Sequence, residues 1–169
     1  MKGLRLYVLL ISIAALLAVA ALSVFAGAWT REDVIAAGFF ASLGILAQAL
    51  GYQQLKGRSG TIAFLPFLSI AAVAPNSAAI ASVFAAMLFG ELIARRDSLK
   101  ALFNISQQIL AVATAELVYV ALGGKSLLSP PVDFPAFIAL FATYMVMNKA
   151  VVAIVLALVN NTAFRREIV

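Results

Sequence analysis

The chain has 169 residues, 64% of them hydrophobic and 11% charged, with a mean hydropathy of +1.08 and a net charge of +5. A soluble domain of this length cannot hide so much apolar surface, and the absence of cysteine and histidine excludes disulfides, thiol chemistry, imidazole metal or haem ligation and imidazole acid–base catalysis. The positive balance does not point to nucleic acid, because the basic residues are spread over distant clusters that suit a membrane topology.

The first apolar run, Leu6 to Phe25, follows the basic start Lys2/Arg5 and precedes Ala26-Gly27-Ala28. That order imitates a signal peptide with a small-residue cleavage site. The run exceeds the ~7–15 residues of a signal h-region, so a retained helix over 5–27 is expected. Further helices are predicted over 34–55, 61–74, 76–94, 100–122 and 134–159. The stretch from Thr61 to Ala94 could be one kinked helix or two that turn at Pro75-Asn76, since proline disfavours helical geometry before it and asparagine tolerates turns. Gly123-Gly124 reads as a helix-ending turn. Pro130-Pro131, Asp133 and Pro135 read as a stiff loop leading into the last helix.

Charge counting decides between five and six spans. With six, and the N-terminus inside, nine Lys/Arg lie inside (2, 5, 56, 58, 95, 96, 100, 165 and 166), two lie outside (31 and 125), and Lys149 falls within a span. With five, the split is five inside and six outside, so the positive-inside rule favours six. The expected fold class is therefore an all-α polytopic membrane protein, a single domain over 1–169. It has six transmembrane helices, the third of them short, and cytoplasmic termini in the bacterial inner membrane. A helix as short as 61–74 crosses only where the bilayer thins or where the Pro75-Asn76 turn lies below the surface. A turn at that depth needs cover by protein or water. Pro75 and Asn76 are thus either a candidate wall of an outer cavity or a plain tight hairpin. Trp29 and Tyr52 fit opposite interfaces. The small-residue pairs Ala14/Ala18, Ser23/Gly27, Ala37/Ala41 and Ala47/Gly51 fit close helix packing.

Polar groups at membrane depth are the candidate site, because they are rare there and usually face inward. Lys149, beside Asn148, is placed near the middle of the last helix, where a lysine costs roughly 2.5–3.5 kcal/mol and needs a partner or a wet cavity. Asn104 and Gln108 share a face of the fifth helix, and Gln107 is adjacent. Gln48 lies in the inner half of the second helix. These six form a candidate buried network, read either as interhelical glue or as a ligand or signal site. Glu91 and Glu116 are candidate charged partners for Lys149 or for nearby basic residues. At ~100° per residue, Glu116 is rotated about 120° from Asn104 and should face a different neighbour. No nucleophile–base pair, metal-ligand spacing or phosphate-binding glycine loop occurs. Neither enzyme activity, a metal nor a cofactor is expected, and six spans with one interfacial tryptophan argue against a retinal Schiff base at Lys149.

Three stretches together carry a resemblance: Phe64-Leu65-Pro66-Phe67-Leu68 running on to Pro75, Ala101-Leu102-Phe103-Asn104, and Met147-Asn148. Over roughly 30–169 the chain resembles the N-terminal multi-pass membrane region of bacterial signalling proteins that carry HD-GYP phosphodiesterase or diguanylate cyclase domains. The resemblance implies a sensory or anchoring module whose last helix leads into a cytoplasmic effector, with Arg165-Arg166-Glu167 at the exit. The chain departs from such proteins by ending at Val169 and by lacking the histidine of an HD site. The six-helix layout with a short third helix is also similar to substrate-binding subunits of energy-coupling-factor vitamin transporters, whose ligand lies between outer loops and helices four to six. In that likeness Ala14/Ala18 matches a small-residue contact with the coupling subunit. A third expectation is an accessory subunit of a larger membrane complex. The expected partners are the lipid bilayer, a cytoplasmic effector domain or partner subunit at the C-terminus, and a small-molecule ligand. No nucleic-acid partner is expected.

Overall fold

A computed structural model describes the backbone of residues 2–50, 52–54, 58–60 and 62–167, and the side chains of 2–50 and 62–159. Six helices run in order: α1 (Lys2–Phe25), α2 (Arg31–Ala49), α3 (Phe64–Val73), α4 (Ser77–Ala94), α5 (Ser98–Ala121) and α6 (Phe134–Glu167). Five are long and apolar enough to cross a membrane, and α3 is the short one. The chain is thus an all-α, multi-pass membrane protein.

Two boundaries depart from expectation. The second helix was expected to reach residue 55 but ends at Ala49. A small antiparallel hairpin follows, β1 (Tyr52–Gln54) with β2 (Arg58–Gly60), pairing Tyr52 with Gly60 and Gln54 with Arg58. Polar Gln53 and Gln54 beyond Gly51 carry the chain out of the apolar helix. The side chain of Tyr52, expected as an interfacial anchor, and Gly51 of the Ala47/Gly51 pair lie outside the described residues. The last helix was expected to stop at 159 but continues to Glu167. Its 34 residues span ~51 Å at 1.5 Å each, well beyond a ~30 Å hydrocarbon core.

Side-chain contacts fix the relative direction of the helices. Tyr7 of α1 lies 6.3 Å from the Phe103 ring of α5, and one turn on Ser12 Oγ meets Ser106 Oγ at 2.9 Å, so α1 and α5 run parallel. Gly44 of α2 faces Ala86 of α4, and Gln48 faces Gly90, so these two are parallel as well. At Gly44 an added Cβ would stand 2.7 Å from the Ala86 Cβ and 2.9 Å from a Phe67 ring carbon. The glycine therefore lets three helices converge. Together these directions gather Lys2/Arg5, Arg58 and Arg95/Arg96/Lys100 at one end of the bundle, the basic end.

At the other end, α2 opens with a capping box: Thr30 N donates to Asp33 Oδ2 at 2.8 Å, and Asp33 N donates to Thr30 Oγ1 at 3.1 Å. Trp29, just before α2, donates from Nε1 to Ser77 Oγ at 2.8 Å, so the Pro75-Asn76 turn lies level with the start of α2. Phe67, near the start of α3, meets Gly44 about 20 Å along α2. A ten-residue helix is long enough because it covers only the distance between those two levels.

Candidate functional site

Helix α5 is the spine of the polar structure, and each of its polar side chains reaches a particular neighbour. At the basic end, α4 stops at Arg95, which adopts left-handed backbone geometry (φ 48°). The chain reverses within three residues, and Asp97 caps α5 by accepting from Leu99 N at 2.9 Å. This tight reversal lets Glu91, on the last turn of α4, take two donors on one oxygen. Arg96 Nη1 lies 2.8 Å from Glu91 Oε1 and Asn104 Nδ2 lies 2.9 Å from it. Glu91 is 5% exposed, and this ion pair with an added amide donor clamps the α4–α5 corner.

About one turn further along α5 the partner changes to α6. Gln107 donates to Asn148 Oδ1, and Tyr144 donates its hydroxyl to Gln108 Oε1 at 3.0 Å. Asn104 and Gln108 share a face by spacing, yet they bond to different helices because α4 and α6 flank α5 at different heights. Gln48 stands apart from all of them, donating to Met87 Sδ across the α2–α4 seam. The six residues expected to form one network are thus dispersed. Gln107–Asn148 forms one contact, Gln108 and Asn104 belong to two others, and Gln48 to a fourth.

Lys149 joins none of these. Its side chain is exposed on the bundle surface, and among the described residues neither a carboxylate nor an amide meets it. The apolar stretch of α6 that is long enough to span runs from Phe134 to Val159, and Lys149 lies within its middle third. Gln107 donates to Asn148, and Ser106 meets Ser12 at the middle of α1, which puts Lys149 near mid-height of the bundle. An exposed lysine at that height carries the full cost of an intramembrane charge unless its stem lies along the surface toward a polar boundary.

Glu116 is the opposite of Glu91. It is 0% exposed, and both of its carboxyl oxygens lie without a hydrogen-bond partner among the described residues. The Ser82 hydroxyl of α4 is likewise buried and unpartnered. Leaving a polar group buried without a partner costs about 1–3 kcal/mol, more for a charged one. The sequence placed Glu116 on a different face from Asn104. It did not reveal that, among the described residues, no donor meets it.

The Pro75-Asn76 turn is packed over by protein. Asn76 is buried and caps α4, its Oδ1 accepting from Ala78 N at 2.9 Å. Trp29 Nε1 donates to Ser77 Oγ at 2.8 Å, and Leu127 N donates to Ala72 O at 2.9 Å. Ser126 donates to Val73 O. The turn thus meets the cover that a turn at membrane depth requires, and it does so with two loops.

Sequence reasoning missed the tyrosines. Tyr7, Tyr119 and Tyr144 each donate a part-buried hydroxyl, to Val151 O, Lys125 O and Gln108 Oε1 respectively. A tyrosine within an apolar run is itself the signal, since its hydroxyl needs a partner when buried.

These features define a helical membrane domain whose ordered polar contacts sit between helices. The chain belongs to the MASE9 family, a family of membrane-associated sensor domains, whose model matches residues 6–169. No curated protein and no solved structure matches the chain.

Proposed function

We propose that this domain is the membrane input module of a bacterial signalling protein, without catalysis of its own, in the cytoplasmic membrane with both termini inside. Charge asymmetry supports the orientation, since a six-span reading of the sequence assigns nine basic residues to one side and two to the other. The observation that carries the reading is α6. It is one continuous helix about 20 Å longer than the hydrocarbon core, and it leaves the bundle at the basic end. Within the membrane it is tied to α5 by Gln107–Asn148 and Tyr144–Gln108. A small displacement at those contacts is transmitted along a rigid rod to whatever follows. Effector coupling through such shifts of 1–2 Å is a recognised mode of helix signalling. Glu116 supplies the second ingredient, a polar group held at an energetic disadvantage inside the bundle whose surroundings any bound ligand or altered packing would change.

The test uses helical phase. With a second-messenger enzyme placed after Val169, insertion of one, two, three or four alanines after Val159 rotates the effector by ~100° per residue. Output should vary with phase, falling at one to three insertions and recovering at four, with membrane insertion unchanged. An output indifferent to phase would contradict the reading.

A further inference from the structure

Below the Tyr7–Val151 hydrogen bond, α6 parts from α1 and α5, and a cavity of about 700 Å³ opens between the three helices at the basic end. Its walls are apolar, with Val8 of α1, Phe103 of α5 and Val155 and Leu156 of α6 among them. Its polar members are Asn104, Lys100 and Asp97. Helix interiors pack too closely to leave such a space unused, and the volume falls within the range of ligand pockets.

The charges around the opening select the occupant. Lys100 lines the cavity, with Lys2 and Arg5 on the first turns of α1 and Arg95 and Arg96 just before α5. Glu91 and Arg96 cancel as a pair, and Asp97, which caps α5 through Leu99 N and Lys100 N, keeps its charge, so Lys100, Lys2, Arg5 and Arg95 leave the opening net positive. An apolar slot under an excess of cations fits an amphiphile with a hydrocarbon tail and an anionic head. We propose that this groove holds one acyl chain of an anionic phospholipid from the adjoining leaflet, its phosphate at Lys100. Each CH₂ removed from water adds about 0.8 kcal/mol, and the phosphate adds an electrostatic preference over zwitterionic lipid. Because α6 forms one wall, the lipid sets how far that helix stands from α1. As an input to α6 the groove rests on the sensory reading above; as a lipid site it stands without it.

The test is photolabelling of the full chain in phosphatidylcholine vesicles that contain a small fraction of phosphatidylglycerol bearing a photoactivatable acyl chain. Labels should concentrate on Val8, Phe103 and Val155 rather than on the lipid-facing Leu9 and Leu16 of α1. Excess unlabelled phosphatidylglycerol should compete, and phosphatidylcholine should not. Lys100→Gln should weaken competition by about fivefold, the ratio expected for one basic residue at an anionic surface. Leu156→Trp, which fills the slot, should abolish groove labelling while leaving the lipid-facing labels intact. Labels spread evenly over α1, or competition by phosphatidylcholine or a free fatty acid equal to that by phosphatidylglycerol, would overturn the proposal. The wild-type labelling pattern needs no variant and decides the matter even if Leu156→Trp fails to fold. Failure here leaves the helical-phase test untouched, and failure of that test leaves the lipid site standing.

Discussion

Glu91 and Glu116 are the same residue type on adjacent antiparallel helices of one bundle, and they are treated in opposite ways. Glu91 is buried, but an arginine and an asparagine converge on one of its oxygens. Glu116 is more deeply buried, and neither oxygen meets a donor among the described residues. The difference arises from position. Glu91 sits at the last turn of α4, where the chain reverses and brings Arg96 back within reach. Glu116 lies in the far half of α5, where the core around it is built of alanine, valine and large apolar side chains. The first arrangement strengthens the fold, and the second weakens it. A weakening group in the interior is a candidate for function precisely where stability gives no reason for it, as strained or unsatisfied groups in folded proteins generally are.

Three experiments would break or sharpen this contrast. The largest effect is expected at the clamped end. Arg96→Leu leaves Glu91 buried with one amide donor, and the loss should be about 2 kcal/mol, below the range for a fully buried pair because the arginine is about one-third exposed. Reversible unfolding in bicelles would read it, and a loss near zero would remove the clamp from the account. At the sealed end the sign reverses. Glu116→Leu exchanges an unsatisfied carboxyl for an apolar side chain of similar size and should stabilise by about 1–2 kcal/mol in the same assay. A destabilised Glu116→Leu protein would mean that the carboxyl is partnered after all. The smallest effect is the coupling between Gln107 and Asn148. A double-mutant cycle to leucine and alanine should give about 0.6 kcal/mol, the average for such bonds in a membrane bundle.

Much of this arrangement was legible in the sequence. The apolar runs and the alternation of basic clusters gave the class and the number of helices, and the polar run Asn104, Gln107 and Gln108 marked α5 as the helix that holds its neighbours. Four things were hidden for separate physical reasons. The end of α2 was hidden because Leu50, Tyr52 and Leu55 extend the apolar pattern past the point where the helix stops. The reach of α6 was hidden because hydropathy reports where the membrane ends, while a helix can continue in water. The level of Lys149 was legible from the span, but its exposure was not: which face of α6 turns outward is set by the contacts of Tyr144, Asn148 and Val151 with the other helices. Glu116 was visible as an intramembrane acid, but only the packed structure reveals that it is alone. No periodicity in one helix reports what the other helices bring to it.

The central claim is that the domain keeps Glu116 for signalling and Glu91 for folding. The most direct measurement compares output from a second-messenger effector following Val169 between wild type and Glu116→Leu, at equal membrane abundance. The account predicts that output changes by about fivefold, the ratio that ~1 kcal/mol between two states produces, while the variant is at least as stable as wild type. An output equal to wild type in that stable, correctly inserted variant would contradict it.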